Sequence, residues 1–144
     1  MKILRLPFIS RGLVRANPMV MFVFGDNDIR KGMGGQAKEM RGELNALGIR
    51  VKKLPARTPD SYWTDREYSL NEAKIDEDFL PVERHLALGG IVAIPADGIG
   101  TGLGAMGIRC PKTYLYLTKR LETLIAAYGQ TTDPVKAGLK GDWK

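Results

Sequence analysis

Apolar residues along this chain fall into short unbroken runs and helix-spaced stripes, separated by glycine-rich or polar stretches. Residues 2–6 and 19–24 read as strands, and the second is a continuous run of Met, Val and Phe. Continuous rather than alternating hydrophobicity predicts a strand covered on both faces. That run stops at Gly25-Asp26-Asn27, and a glycine-rich stretch follows from Gly32 to Gly35. From Gln36 to Leu47 the spacing of Ala37, Met40, Leu44 and Leu47 predicts a helix, with Gly48 as its stop. Residues 49–54 predict a further strand, ended by Pro55, and 56–68 a long polar and aromatic connection.

Ser69-Leu70-Asn71-Glu72 has the form of a capping box and predicts a helix start, with Pro81 interrupting that helix or opening a second one. The helical stretch ends at Gly89-Gly90, and Ile91 to Pro95 is another short buried strand. A second glycine-rich loop, residues 96–104, comes next. Pro111 suits the first turn of a last helix, whose apolar stripe is Tyr114, Leu117, Leu121, Leu124 and Ile125. After Gly129 the chain turns polar. The reading is therefore one α/β domain over 1–129 and a loosely attached polar tail over 130–144.

Two strands that each run into a glycine-rich loop and then a helix are the main functional signal. Open α/β sheets bind ligands beyond the carboxyl ends of their strands, where main-chain N–H groups and helix N-termini converge. Glycines there let the backbone approach a ligand closely. Two such loops favour a phosphate-bearing ligand. Residues 102–107 formally satisfy G-x-G-x-x-G, but only 37 residues follow Gly107, too few for the rest of a dinucleotide-binding unit. No G-x-x-x-x-G-K-[ST] occurs, which excludes a P-loop ATPase.

Charge changes the picture only in part. Residues 1–57 carry twelve basic and four acidic side chains, a net +8; 58–88 carry −5 and 89–144 carry +3. A basic first third attracts phosphate on a nucleotide or on a nucleic acid, and charge alone does not choose between them. With one Cys, Cys110, and one His, His85, neither an intramolecular disulfide nor a His/Cys metal cluster is expected. Cys110 lies beside a predicted helix N-terminus, where the dipole lowers a thiol pKa, although a structural role carries more weight. The longest apolar run is far short of the ~20 residues that span a bilayer, and no signal-peptide pattern opens the sequence, so a cytoplasmic protein is expected.

Asp26, Asn27 and Asp97 sit in the loops just after buried strands, where polar side chains face whatever the loops surround. Asp26 either meets a base amino group or braces its own turn. Asn27 and Asp97 either hold a ribose hydroxyl or position a water, or else cap local turns. Gln36 opens the first predicted helix within reach of the same ligand. Of Lys52 and Lys53 at a strand end, one must point outward, and either is a candidate for phosphate or for chemistry.

This pattern resembles the macro domain family, three-layer α/β/α modules with a mixed central sheet that bind ADP-ribose and its relatives. The residues carrying the resemblance are Gly25-Asp26, Gly32-Met33-Gly34-Gly35-Gln36-Ala37, and Pro95 followed by Gly98-Ile99-Gly100-Thr101-Gly102-Leu103. It spans roughly residues 19–127 and is nearest to the short branch of terminal ADP-ribose glycohydrolase-like domains, and to small macro-like proteins of phages and bacteria. The resemblance implies that Asp26 meets the adenine. Gly32, Gly34 and Gly35 would line the distal ribose and phosphates, and Gly98 to Leu103 would wrap the diphosphate. That branch pairs a strand lysine, here Lys52 or Lys53, with an aspartate just after the second loop. Gly104 stands at that position, so the branch's covalent lysine mechanism is not carried over.

The leading expectation is a pocket for ADP-ribose or an NAD-derived nucleotide, with Asp97, Asn27 and Lys53 as the candidates for hydrolysing an ADP-ribosyl bond. No cofactor or metal is implied. Two rivals remain: a module that sequesters or senses a nucleotide without turning it over, and a nucleic-acid-binding protein using residues 1–57 and Trp63.

Overall fold

A computed structural model of the chain describes residues 1–102 and 104–141; Leu103 of the second loop and positions 142–144 of the expected tail lie outside the described residues. The strands are β1 (Ile3–Leu6), β2 (Met21–Asn27), β3 (Ala46–Lys52), β4 (Val92–Pro95) and β5 (Gln130–Thr131). Between them run α1 (Arg11–Ala16), α2 (Ala37–Met40), α3 (Tyr68–Ala87), α4 (Met106–Arg109) and α5 (Pro111–Tyr128). The strands form one sheet in the order β3-β2-β4-β1-β5. Every described pairing is parallel, so the mixed sheet of the sequence reading gives way to a parallel one. The reason is that each strand returns to the same end of the sheet through a crossover connection.

Alternation along the strands feeds two apolar layers. Ile3, Val23, Ile49, Val51, Val92 and Ile94 pack with side chains of α3, α4 and α5. Leu4, Leu6, Phe22, Phe24 and Ala93 pack on the other face with α1 and α2. The chain crosses the sheet one way through α1 and α2 and the opposite way through α3 and α5. Reversing the direction of travel while changing face keeps a single crossover hand, as βαβ units require. The result is an α/β sandwich with helices on both faces of a parallel sheet.

Several expectations are corrected. The predicted helix over Gln36–Leu47 is one turn, Ala37–Met40. Arg41 leaves helical geometry at ψ 129°, Gly42 follows at φ +92°, and Ala46 and Leu47 pair with Phe22 and Val23 in β3. Gly48 is therefore strand interior, not a helix stop. A Cβ there would lie 2.3 Å from Asp26 Oδ2, so the buried carboxylate occupies the space that a side chain would need. α3 begins at Tyr68 with no side-chain cap, so the capping box at Ser69 does not form, and it runs unbroken through Pro81. The sequence reading also missed α1, which Ser10 caps by accepting from the Leu13 N–H at 3.1 Å.

The described part of the segment after Gly129, residues 130–141, is integrated rather than loose. Gln130 and Thr131 pair with Ile3 and Leu4, Ala137 and Leu139 are buried beside Leu13 and Val14, and Asn17 exchanges hydrogen bonds with the Lys140 main chain at 2.6 and 2.7 Å. Leu139→Ala is accordingly expected to lower unfolding free energy by about 2–3 kcal/mol in urea titrations, the cost of a truncated core side chain. An appendage would show no change.

Candidate functional site

The connections leaving β2 and β4, which are neighbours in the sheet, depart to opposite faces: β2 leads to α2 and β4 to α4 and α5. Such a divergence opens a crevice beyond the carboxyl ends of the strands. A cleft of about 420 Å³ lies there, lined by both glycine-rich loops. Gly25 to Asn27, Gly32 and Gly34 to Gln36 form one side and Asp97 to Gly102 the other; Pro7, Phe8 and Lys52 come from the ends of neighbouring strands. Its size falls within the ~300–1,000 Å³ usual for small-molecule sites. The second loop passes over β2 at contact distance, since a Cβ placed on Gly25 would stand 3.7 Å from the Gly100 nitrogen, an ordinary van der Waals separation.

The main-chain donors of these loops are largely unspent. Among the described residues, no acceptor is recorded for the N–H groups of Gly32, Met33, Gly34, Gly35 and Gln36, nor for those of Ile99, Gly100, Thr101 and Gly102. Gly98 is the exception, donating to the Pro95 carbonyl at 3.0 Å. Native proteins pair nearly all buried main-chain donors and leave exposed ones to water or ligands. Successive main-chain N–H groups without internal partners are the kind of donor set from which anion-binding concavities are built. Helix dipoles add little, because α2 and α4 are four residues each.

The side chains expected at the site divide sharply. Asp26 lines the cleft, but its carboxylate is spent on bracing. Oδ1 accepts from Arg41 Nη2 at 2.6 Å and from the Asn27 N–H at 2.8 Å, while Oδ2 accepts from Arg30 at 3.3 Å. Arg41 Nε in turn donates to the Gly32 carbonyl at 2.7 Å, pinning the first loop. Arg30 also reaches Asp78 on α3 at 2.7 Å, and Asp78 is shared with Arg50. Asp26 thus makes the bracing contacts that the sequence reading offered as the alternative to meeting a base. Asn27 is similarly occupied: its Nδ2 donates to the Lys31 carbonyl at 2.6 Å and its Oδ1 accepts from the Ile29 N–H at 3.2 Å.

Gln36 lines the cleft, yet its amide clamps the main chain of Ile9, accepting from the N–H and donating to the carbonyl at 2.8 Å each. Asp97 is exposed on the cleft wall and makes no side-chain hydrogen bond or ion pair with a described residue. Lys53 is corrected outright, since it lies off the cleft in an ion pair with Glu67 at 2.7 Å. Lys52 is the lysine that lines the cleft. It is buried, donates to the Ala56 carbonyl at 2.8 Å, and stands 4.5 Å over the Tyr62 ring. Desolvation first, and the charge of Arg57 second, hold its pKa below the usual lysine value.

Three residues singled out from the sequence are structural. Burial pushes the Cys110 thiol up to about 11, opposite to the activation that a helix N-terminus would give. His85 Nε2 bonds the Ile91 carbonyl at 3.0 Å. Trp63 is 1% exposed and donates to Asp28 at 3.2 Å, so no base can stack on it. Several cations of the basic first third are held in ion pairs, five arginines on three carboxylates: Arg11 and Arg15 on Glu43, Arg30 and Arg41 on Asp26, and Arg50 on Asp78. Among the described residues no group of three or more His, Cys, Asp or Glu gathers where a metal ion could sit, and no helix is long and apolar enough to cross a membrane.

No curated protein and no solved structure matches the chain. A family model described as a family of unknown function, DUF7831, matches residues 4–120. That span takes in β1 to β4, both glycine-rich loops and about half of α5. The residues lining the cleft therefore all fall within the matched span, and the chain belongs to the DUF7831 family.

Proposed function

We propose that the cleft binds ADP-ribose or a related NAD-derived nucleotide, gripping its diphosphate with main-chain N–H groups from both glycine-rich loops. The observation carrying this reading is the pair of unspent donor runs on one cleft, Gly32 to Gln36 and Ile99 to Gly102. Preorganised main-chain donors hold phosphate oxygens without paying for reorganisation on binding. The resemblance to macro domains supports the ADP-ribosyl class, because Gly25, Gly32, Gly34, Gly35 and Gly98 to Gly102 all border the cleft. The buried Lys52 supplies positive charge at the same rim.

For hydrolysis, Asp97 is the remaining candidate to orient water at the distal ribose carbon, since Asn27 and Lys53 are committed elsewhere. Calorimetric titration with ADP-ribose and with inorganic pyrophosphate tests binding, and incubation with an ADP-ribosylated protein and with ADP-ribose 1″-phosphate tests turnover. Saturable one-to-one binding is expected, with stabilisation of about 2.7 kcal/mol at a hundredfold excess over Kd. Product release that Asp97→Asn slows by about 10²–10⁴-fold, with binding retained, makes the protein a hydrolase. Ligand recovered unchanged makes it a sequestering module. No binding of either probe overturns the reading.

A further inference from the structure

Phe8 belongs to none of the motifs that drew attention to the cleft, yet it lines it. It is 57% exposed and, among the described residues, it is the only aromatic side chain classed as exposed. Its neighbours explain how an apolar ring is held in that position. Pro7 restricts the backbone before it. Ile9 behind it is fully buried, with N–H and carbonyl both held by the Gln36 side chain. Gln36 ends the first glycine-rich loop, so the two hydrogen bonds fix the segment bearing Phe8 to one of the two donor runs.

The rest of the cleft has no comparable surface. Its glycine loops offer N–H groups, and the aromatic Tyr62 beside Lys52 is buried. Asp26, the acceptor best located to read a base amino group, has both oxygens engaged by Arg41, Arg30 and the Asn27 N–H. A nucleotide seated by its diphosphate would thus bring its base to a cleft with one exposed aromatic face, with the Asp26 carboxylate engaged and the free carboxylate on the wall, Asp97, assigned above to the distal ribose.

From this juxtaposition we infer that Phe8 is the stacking platform for the nucleotide's base, and that the base is held by its face rather than read at its edge. The inference rests on the diphosphate reading above and adds a consequence that reading lacks: tolerance of base identity. Every base has a π-face, so stacking grips bases without discriminating strongly among them. The bound class is then nucleoside diphosphates and their sugar conjugates in general, with adenine and guanine forms accepted alike.

The test compares Phe8→Leu and Phe8→Tyr with the unchanged protein, titrating ADP-ribose, ADP, GDP and inorganic pyrophosphate. Because Phe8 is exposed, both variants keep their thermal midpoints, which is measured first. Phe8→Leu is expected to weaken ADP-ribose about tenfold or more and leave pyrophosphate unchanged. Phe8→Tyr, which keeps the ring, restores ADP-ribose affinity, and ADP and GDP bind within about tenfold of each other. Unaltered ADP-ribose binding by Phe8→Leu, or equal weakening of ADP-ribose and pyrophosphate, overturns the platform. Strong preference for one base overturns the tolerance. Failure of pyrophosphate and ADP-ribose alike to bind the unchanged protein overturns the diphosphate reading itself, a result distinct from the other three.

Discussion

Replacing Asp26 with alanine is expected to cost the folded protein about 3 kcal/mol with no ligand present. Its side chain is 3% exposed and faces Arg41 at 2.6 Å, which is itself only 20% exposed. Removing one partner of a buried ion pair leaves the other charge poorly compensated, which typically costs ~3–5 kcal/mol. Arg30, at 42% exposed, is better solvated and contributes less, which sets the lower end of that range. Arg41 would keep only the Gly32 and Lys31 carbonyls, and the first loop would lose its anchor. Urea unfolding of the ligand-free variant measures this directly. An aspartate kept only to read a base would leave ligand-free stability within about 0.5 kcal/mol, the usual range for a surface change.

Gly100→Val is expected to abolish nucleotide binding and to destabilise the fold by about 2–4 kcal/mol. Gly100 has φ +81°, where a β-branched residue is strained. A Cβ would stand 2.3 Å from Met106 Sδ and 2.9 Å from its Cγ, and Met106 is fully buried. The Gly100 carbonyl also accepts from the Met106 N–H at 2.9 Å, so the loop cannot shift without breaking the turn into α4. Gly102→Ala is the matched control. Gly102 is outside the left-handed region and has no atom within 4 Å of the added Cβ. Titration of ADP-ribose should show loss of binding for Gly100→Val, while Gly102→Ala keeps the ligand-free stability of the unchanged protein. Native affinity in Gly100→Val would mean that the second loop does not grip the ligand.

Both of these positions were marked by the sequence, but their roles were legible to different degrees. The runs at 2–6, 19–24 and 91–95 announce β1, β2 and β4, because burial on both faces leaves few polar positions to confuse the pattern. The glycine loops follow from the same strands, so the cleft's location was within reach of the sequence alone. Bracing was one of the two readings that the sequence offered for Asp26, but its main partner, Arg41, was out of reach because it fell inside a predicted helix. Helical spacing at Ala37, Met40, Leu44 and Leu47 is also what one helical turn, an exposed Leu44 and the start of β3 produce by coincidence.

Period-two reasoning likewise stalls at Lys52 and Lys53. β2 pairs Asp26 with Arg50 but Asn27 with Lys52, an irregularity that breaks the simple register. Such a local shift re-aims side chains in a way that no strand periodicity encodes. Phe8 was invisible for a related reason: its meaning depends on the Gln36 clamp, a contact across 27 residues between its neighbour Ile9 and the first loop. Ala137 and Leu139 were masked by their polar surroundings, although two apolar residues suffice to cover α1.

The central claim is that main-chain N–H groups from two separate loops meet one diphosphate. Amide-resolved NMR titration with ADP-ribose probes those groups themselves. The account predicts large, saturable shifts at Gly34, Gly35 and Gln36 together with Ile99, Gly100 and Gly102, following a single binding curve. Inorganic pyrophosphate should move the same two sets. Shifts confined to one loop, or scattered over the basic residues of the first third while both loops stay still, would contradict it.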